Sequence, residues 1–270
     1  STAYPMVTKP AYDGGLGFNF KWNMGWMNDS LHYISLDPFF RKDNHNDLTF
    51  SITYAYSENY ILPISHDEVV HGKKSLIDKF PGSYDDKFEG LKSFLGYMIG
   101  HPGKKLTFMG CEFGQFIEWD YKKELDWLLL DYPRHRMLQK FVKDLNAFYL
   151  ENPALWQLDC SQDGFKWIVV DDFKQNIISF IRKAANGEYV ICVVNFSPVK
   201  RNKYVMGVPE NLPYKTELIS SLKKYGGGEA RRPTFKATEK PSHGYPCSIK
   251  LNIPANTVMF LKPDYGKEEK

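Results

Sequence analysis

The sequence has 270 residues, which is long for one domain and sufficient for two, since domains most often contain about 100–150 residues. It carries 35 Lys and Arg against 32 Asp and Glu, a net charge of +3, which excludes binding driven by charge to nucleic acid or to an anionic membrane surface. Apolar residues at 43% are ordinary, whereas aromatic residues at 16% (19 Phe, 17 Tyr and 6 Trp) are unusually many.

The first residues, the hydropathy and the cysteines bear on processing and compartment. The chain begins Ser1-Thr2 with neither an initiating Met nor a signal peptide, so we expect a chain cut from a longer protein. No apolar run reaches the roughly 18 residues of a membrane-spanning helix. The four cysteines form no C-x-x-C pair and predict single thiols in a reducing compartment. We therefore expect a cytoplasmic protein without metal or cofactor.

The first 150 residues alternate short apolar runs with helical patterns, as βα units do. Glycine and proline separate the segments, and polar residues crowd at 65–68, directly after one apolar run. The predicted elements, in chain order, are a strand at 16–22, a helix at 26–33, a helix at 48–56 capped by Asp47, a strand at 60–64, a helix at 84–100 capped by Ser83, a strand at 106–109 and a helix at 134–150 opened by Pro133.

From about residue 155 the sequence pattern changes to runs of β-branched and aromatic residues separated by Gly, Pro and Asn turns. This pattern predicts an all-β domain. The predicted strands are 166–171, 176–182, 189–196, 204–208, 248–253 and 257–261. The basic stretch 223–240, which also contains three consecutive glycines, is predicted as a solvated loop.

Together these patterns predict an α/β part followed by an all-β part. A closed (β/α)₈ TIM barrel needs about 250 residues, so three βα units would be the C-terminal part of such a barrel, about strands 6–8. We therefore expect residues 1–154 to be the end of a catalytic barrel and residues 155–270 to be an antiparallel β-sandwich domain.

The densest polar cluster lies at 65–75, and several motifs fail there. His66 and His71 are five residues apart, whereas helical zinc ligands need i and i+4. The spacing of Glu68 and His71 is that of a di-iron ligand pair, but the site needs two copies and the chain has one. A phosphate loop is excluded because Asp67 stands where its glycine is required and Lys74 where Ser or Thr is required.

Two constellations remain, and each has two readings. His66-Asp67-Glu68 follows a strand, where barrel enzymes place catalytic side chains, but it could equally be a capped turn. Trp22 and Trp26 could form a surface on which sugar rings stack, or both could be core residues.

The order of several longer segments resembles the 1,4-α-glucan (glycogen) branching enzymes of the α-amylase superfamily. The resemblance covers nearly the whole chain, and strings of this length are more specific than a short motif. The segments that carry it are GGLGFNFKWNMGWM at 14–27, LPISHDEVVHGK at 62–73, HPGKKLTFMG at 101–110, Glu118-Trp119, LDW at 125–127, GFKWIVVDD at 164–172 and VNFSP at 194–198.

The resemblance implies a retaining glycosyl transfer that cuts an α-1,4-glucan chain and rejoins the piece through an α-1,6 bond, as in glycogen synthesis. It implies a third catalytic aspartate, preceded by histidine, that holds sugar hydroxyls in the transition state, and this pair matches Asp67 and His66. No metal-binding residue is expected, because the metal-binding spacings tested above fail. The substrate-binding positions that the resemblance implies are Trp22, Met24, Trp26, Glu68, His71 and Glu112.

Two features of the family pattern are expected upstream of this chain. The nucleophilic aspartate of the family follows barrel strand four, and its acid/base glutamate lies just before the position of Ser1-Thr2. We therefore expect the 270 residues alone to be inactive. The expected partner is an α-1,4-glucan or glycogen, with no nucleic acid and no membrane, bound by a monomer. A hydrolase of the same superfamily and a non-catalytic α-glucan-binding module remain as alternatives.

Overall fold

The computed structural model describes residues 4–266, so the Ser1-Thr2 pair lies outside the described residues. In the first part of the chain, helices alternate with the three strands of a small parallel sheet, whose central strand, Tyr60–Ile64, pairs with the other two. The elements are β1 (Lys21–Trp22), α1 (Met24–Ser35), α2 (Asn46–Thr49), β2 (Tyr60–Ile64), α3 (Tyr84–Gly100), β3 (Lys104–Thr107) and α4 (Pro133–Glu151).

The two long helices confirm the predictions from hydrophobic spacing. Helix α3 has the predicted bounds, and Ser83 caps it through a reciprocal pair of bonds with Asp86. The Ser83 hydroxyl accepts from the Asp86 amide at 3.3 Å, and the Asp86 carboxylate accepts from the Ser83 amide at 3.0 Å. Helix α4 begins at Pro133, whose missing N–H is not needed in the first turn.

Two predictions in the first 60 residues are wrong. The strand at 16–22 is reduced to β1, because the amides of Leu16 and Phe18 bond to the carbonyls of Met6 and Val7 in a local turn. The helix at 48–56 is a short α2 followed by a 3₁₀ turn, Phe50–Thr53. Asp47 does not cap it, because its carboxylate lies 2.7 Å from His32 Nδ1 on α1.

The second part is all β, as predicted. Its elements are β4 (Phe165–Asp172), β5 (Ile177–Lys183), β6 (Tyr189–Asn195), β7 (Arg201–Val208), β8 (Pro213–Ile219), β9 (Thr234–Lys236), β10 (Cys247–Ile253) and β11 (Thr257–Pro263). Six strands form an antiparallel sheet in the order β4-β5-β6-β11-β8-β9, and β7 pairs with β10 in a separate antiparallel ribbon. Strands β8 and β9 are not among the predicted strands.

The prediction of a solvated loop at 223–240 is correct for its basic side chains, which are exposed, but wrong for the backbone, which forms a 3₁₀ turn and β9. Lys224 Nζ lies 2.8 Å from the Asp144 carboxylate on α4, and the Tyr225 hydroxyl donates to the same carboxylate at 2.6 Å. From α3, the buried Lys92 ammonium donates to the Tyr225 carbonyl at 2.7 Å. Charged side chains of the helices thus order this segment, and the chain forms β9 within it.

Helix α3 joins the two parts of the molecule because the β strands pack directly against its backbone. A Cβ on Gly96 would lie 2.2 Å from Val258 Cγ1 on β11, and one on Gly100 would lie 2.9 Å from Cys192 Sγ on β6. Only glycine allows this approach. The buried face of the β sheet and the helices therefore share one core.

The buried imidazole of His101, directly after α3, makes stability depend on pH. Its Nδ1–H donates to the Pro102 carbonyl and its Nε2 accepts from the Ser51 hydroxyl, both at 2.8 Å, and burial lowers its pKa to about 3. Because histidine in the unfolded chain has a pKa of about 6.5, the unfolded state binds more protons between these values. The free energy of unfolding therefore falls as the pH drops below about 6.5.

We predict that His101→Gln flattens this dependence by up to about 1.4 kcal/mol per pH unit between pH 6 and 4. Urea unfolding of both proteins at several pH values measures it. Since the comparison is of slopes, a general loss of stability in the variant does not affect it. Equal slopes would show that the folded protein protonates His101 as readily as the unfolded chain does.

Candidate active site

The carboxyl ends of three parallel strands meet at one edge of the sheet. Lys21 and Trp22 pair with Tyr60 and Ile61, and the register continues from β2 to β3. The residues that follow the strands therefore lie at the same edge, where α/β enzymes place their functional side chains. Each strand end carries predicted residues: Trp22 and Met24 at β1, His66 to Glu68 after β2, and Glu112 after β3.

His66 and Asp67 lie exposed at the end of β2. Ser65 caps a single 3₁₀ turn, His66–Glu68, and its hydroxyl accepts from the Asp67 amide at 3.2 Å. The His66 and Asp67 side chains are 49% and 59% exposed, and His66 Nε2 lies 3.3 Å from Asp67 Oδ1. The turn thus presents an imidazole and a carboxylate side by side to a ligand.

Glu68, predicted as a substrate-binding residue, has a structural role instead. Its side chain is buried, and its Oε2 accepts from the Ser65 amide at 2.6 Å and from the Ser65 hydroxyl at 2.7 Å. Glu68 Oε2 thereby closes the turn. The capped-turn reading is correct for Glu68, whereas the adjacent Asp67 projects to the surface.

Two aromatic side chains stand beside His66. The rings of Phe108, after β3, and Trp119 lie 5.0 Å apart, edge to face, and each lies 6.0 Å from the His66 ring. Both are partly exposed. Neither is among the predicted site residues, although Phe108 directly follows β3 and Trp119 lies on the loop beyond it. The rings of Phe108 and Trp119 thus lie close to His66, the neighbour of the Asp67 carboxylate. Apolar rings can pack against the C–H face of a sugar while a carboxylate accepts from its hydroxyls.

The prediction that Trp26 offers a stacking surface is wrong. Asn23 caps α1 by accepting from the Trp26 amide at 2.9 Å, which fixes Trp26 in the first turn. Its ring is fully buried and stacks on Phe94 and Tyr97 of α3, with centroids 6.1 and 6.2 Å away. Trp26 is therefore a core residue. Trp22 remains partly exposed at the strand end.

Met24 and Glu112 are both half-buried, each near the end of a strand. Met24 opens α1 after β1 and packs partly against the core. Glu112 follows β3 in a 3₁₀ turn, and its Oε2 accepts from the Gly110 amide at 2.7 Å. Substrate contact by these two residues stays a prediction.

His71 lies on the loop that follows the 66–68 turn, beside a carboxylate from the next loop. It is fully exposed, and its Nδ1 lies 3.5 Å from Glu118 Oε2. Glu118 accepts from the amide of Lys74 at 2.7 Å and from that of Gly72 at 3.0 Å, and these two donors hold the pKa of the Glu118 carboxyl below its usual value. Glu118 is not among the predicted site residues.

Within residues 4–266, no three His, Cys, Asp or Glu side chains are arranged to hold a metal ion. All four cysteines are free thiols, as predicted. The helices in the described part of the chain are too short or too polar to span a membrane.

The comparisons with known proteins identify first the class of protein. Residues 167–264 match the family described as "Alpha amylase, C-terminal all-beta domain". A pullulanase type I from Bacillus subtilis, solved with maltose, superposes on 98% of this chain and 38% of its own with a TM-score of 0.62 at 13% identity. An α-amylase from H. orenii covers 98% of this chain and 52% of its own with a TM-score of 0.58 at 12% identity. The chain thus has the fold of α-amylase-type enzymes in the region covered.

Sequence similarity then identifies the family. The chain is 54% identical over 265 residues to the 1,4-α-glucan branching enzyme GlgB of Halothermothrix orenii and 52% identical over 264 residues to that of Aquifex aeolicus, covering 97% of this chain in both cases. Over nearly its whole length, the chain is homologous to 1,4-α-glucan branching enzymes. It spans 42% of the length of each of these two relatives.

Proposed function

We propose that the protein of which this chain is part is a 1,4-α-glucan branching enzyme acting on α-1,4-glucan in glycogen synthesis. It would cut an α-1,4 chain and transfer the piece to a sugar 6-hydroxyl by a retaining double displacement. The observation that carries the proposal is the exposed His66 and Asp67 pair at the end of β2, bordered by Phe108 and Trp119. Identity of about half the residues to enzymes named for this reaction supports it.

We propose that β1, β2 and β3 are the last three strands of a (β/α)₈ barrel. The parallel pairing of these strands and the helix after each of them support this placement. We propose residues 1–154 as the end of the catalytic domain and residues 155–270 as the C-terminal domain. The match of residues 167–264 to an α-amylase C-terminal domain supports the second assignment.

Asp67 is proposed to hold hydroxyls of the sugar at the cleavage site in its transition-state conformation. Its exposed carboxylate can accept two hydroxyl hydrogen bonds, and these strengthen as the ring flattens toward an oxocarbenium ion. His66, 3.3 Å from Asp67 Oδ1, would donate to another hydroxyl of the same sugar. Trp22, Met24, His71 and Glu112 are proposed as further substrate contacts.

The nucleophile and the acid/base of this mechanism are two carboxyl groups about 5–5.5 Å apart. Their proposed positions precede residue 1, so we propose that residues 1–270 alone bind glucan without turning it over. The assignment to a cytoplasmic monomer likewise stays a prediction.

The experiment is to express the complete gene product and incubate it with amylose. Branching forms α-1,6 bonds at a constant number of reducing ends, whereas hydrolysis releases reducing ends. Proton NMR counts the α-1,6 bonds, and a reducing-sugar assay counts the ends. Formation of α-1,6 bonds supports the proposal; release of reducing ends without new branches would assign a hydrolase instead.

The group of Phe108 and Trp119 favours a second activity, glucan binding without chemistry, for the isolated chain. We predict that Trp119→Ala weakens its retention on an amylopectin gel by about 3- to 10-fold, since a stacked ring contributes about 0.5–1.5 kcal/mol. Phe39→Ala is the matched control, because Phe39 is exposed on a different segment, after α1. Equal retention of both variants and the wild type would exclude Trp119 from the binding surface.

A further inference from the structure

The loop 69–75, between the 66–68 turn and the next helical turn, adopts a conformation that its own sequence does not favour. Gly72 has φ +82°, which glycine adopts readily, but Lys74 has φ +63°, which crowds its Cβ. Such a backbone persists only where the surroundings impose it. The ends of the loop are buried at Val69 and Ser75, whereas the side chains of Lys73 and Lys74 in its middle are exposed, so burial does not restrain the middle of the loop.

Two oppositely charged side chains supply it. Glu118 accepts from the Lys74 amide through Oε1 and from the Gly72 amide through Oε2, which uses both carboxylate oxygens on one loop. Lys79, in the 3₁₀ turn Ile77–Lys79, donates to the carbonyls of Lys73 and Lys74. Glu118 thus binds two N–H groups of the loop, and Lys79 binds two of its C=O groups. Hydrogen bonds with a charged partner are stronger than those between neutral groups.

The segment that contains Glu118 also contacts His66, which lies beside Asp67 at the end of β2. The residue after Glu118 is Trp119, whose amide donates to the Val69 carbonyl at 2.8 Å, while its ring contacts the His66 ring. His66 in turn lies beside Asp67. A shift of the Glu118-Trp119 segment would therefore move both the loop and the imidazole.

We propose that Glu118 and Lys79 are positioning residues that lock the loop 69–75 and, through Trp119, fix His66 and Asp67 for catalysis. This inference rests on the proposed function, since it assigns a role in that reaction. Neither residue needs to touch the substrate. Their effect is on kcat, because a displaced Asp67 loses contacts made in the transition state.

The variant Glu118→Gln tests this in the complete gene product. A glutamine keeps the size but offers only one acceptor oxygen, so one of the Gly72 and Lys74 amides faces an NH₂ group. We expect branch formation to fall about 10- to 100-fold in kcat, with KM changed by less than about 2-fold and an unchanged melting temperature. Glu124→Gln is the matched control, because Glu124 is an exposed carboxylate in the same segment, and it should leave kcat unchanged.

Residue-resolved hydrogen exchange of the wild-type protein and both variants provides a readout independent of activity. The Gly72 and Lys74 amides should be protected in the wild type and in Glu124→Gln and exchange about 10-fold faster or more in Glu118→Gln. Unprotected amides in the wild type would show that Glu118 does not hold the loop 69–75. Unchanged exchange in Glu118→Gln would show the same. Faster exchange with unchanged kcat would overturn the positioning role.

Lys79→Met provides a second variant should Glu118→Gln fail to fold. It removes the donor to the two carbonyls, and the same fall in kcat and faster exchange are expected. An unchanged kcat in Lys79→Met would contradict the proposal. If the wild-type gene product forms no α-1,6 bonds, the proposed function fails, and the exchange data still decide whether Glu118 holds the loop.

Discussion

Replacing Asp67 with asparagine in the complete gene product is expected to lower kcat for branch formation by about 1,000-fold. Asparagine has the same shape, so it removes the negative charge while leaving the turn capped by Ser65 intact. Loss of one group that stabilises charge in the transition state typically lowers kcat by about 100- to 1,000-fold. KM should change far less, because the lost contact strengthens mainly as the sugar ring flattens.

The measurement is the initial rate of α-1,6 bond formation from amylose at several substrate concentrations. Asp131→Asn is the matched control, because Asp131 is an exposed carboxylate at the end of the 3₁₀ turn Trp127–Asp131, outside the candidate site. It should have the wild-type rate. An Asp67→Asn enzyme within about 3-fold of the wild-type kcat would remove Asp67 from the transition state, even if the protein proves to be a branching enzyme.

Local sequence predicted the two long helices, α3 and α4, well because their signals are themselves local. The bounds of α3 follow from apolar residues spaced three and four apart and from Ser83 with Asp86, all within one segment. Strand β8 shows the converse. Tyr214, Thr216 and Leu218 are buried in alternation, but the lysine and glutamate between them and the proline before them have low strand propensity, and the strand forms by pairing with β11.

The candidate site was only partly predictable for the same reason. The polar residues after β2 mark the site in the sequence, and the resemblance to branching enzymes selects His66 and Asp67 among them. Whether Trp26 or Trp119 faces solvent depends on contacts with residues distant in the chain. Trp26 is covered by Phe94, on a helix far along the sequence, whereas Trp119 reaches the surface beside His66. No local pattern distinguishes these two tryptophans.

The second large effect that we expect is on folding, from the buried ion pair between Asp159 and Arg182. Asp159 Oδ1 lies 2.6 Å from Arg182 Nη2, and the two side chains are 1% and 0% exposed. Arg182, on β5, also donates to the Gly100 carbonyl at 2.8 Å and to the Gly164 carbonyl at 3.1 Å. The pair therefore joins the end of α3, the segment before β4 and the β sheet at one point.

We predict that Asp159→Asn lowers the free energy of unfolding by about 3–5 kcal/mol, because it leaves the Arg182 charge buried without a counter-ion. Lys104 also pairs with Asp159, at 3.0 Å, but its side chain is 38% exposed. Lys104→Met should therefore cost less than about 1 kcal/mol and serves as the control. Urea unfolding followed by tryptophan fluorescence measures both variants.

The Arg182→Met variant and the double variant Arg182→Met/Asp159→Leu separate the charge from the packing. Arg182→Met should be destabilised about as strongly as Asp159→Asn, since it leaves the Gly100 and Gly164 carbonyls without their donor and the buried Asp159 with Lys104 alone. The double variant removes both buried charges and should recover part of the loss, because an apolar pair has no desolvation penalty. If instead the double variant loses the sum of both single effects, the ion pair contributes no coupling. The bonds from Arg182 to the Gly100 and Gly164 carbonyls would then be what holds α3 against the β sheet. Because β3 begins directly after α3, these bonds would also fix the residues of the candidate site that follow β3.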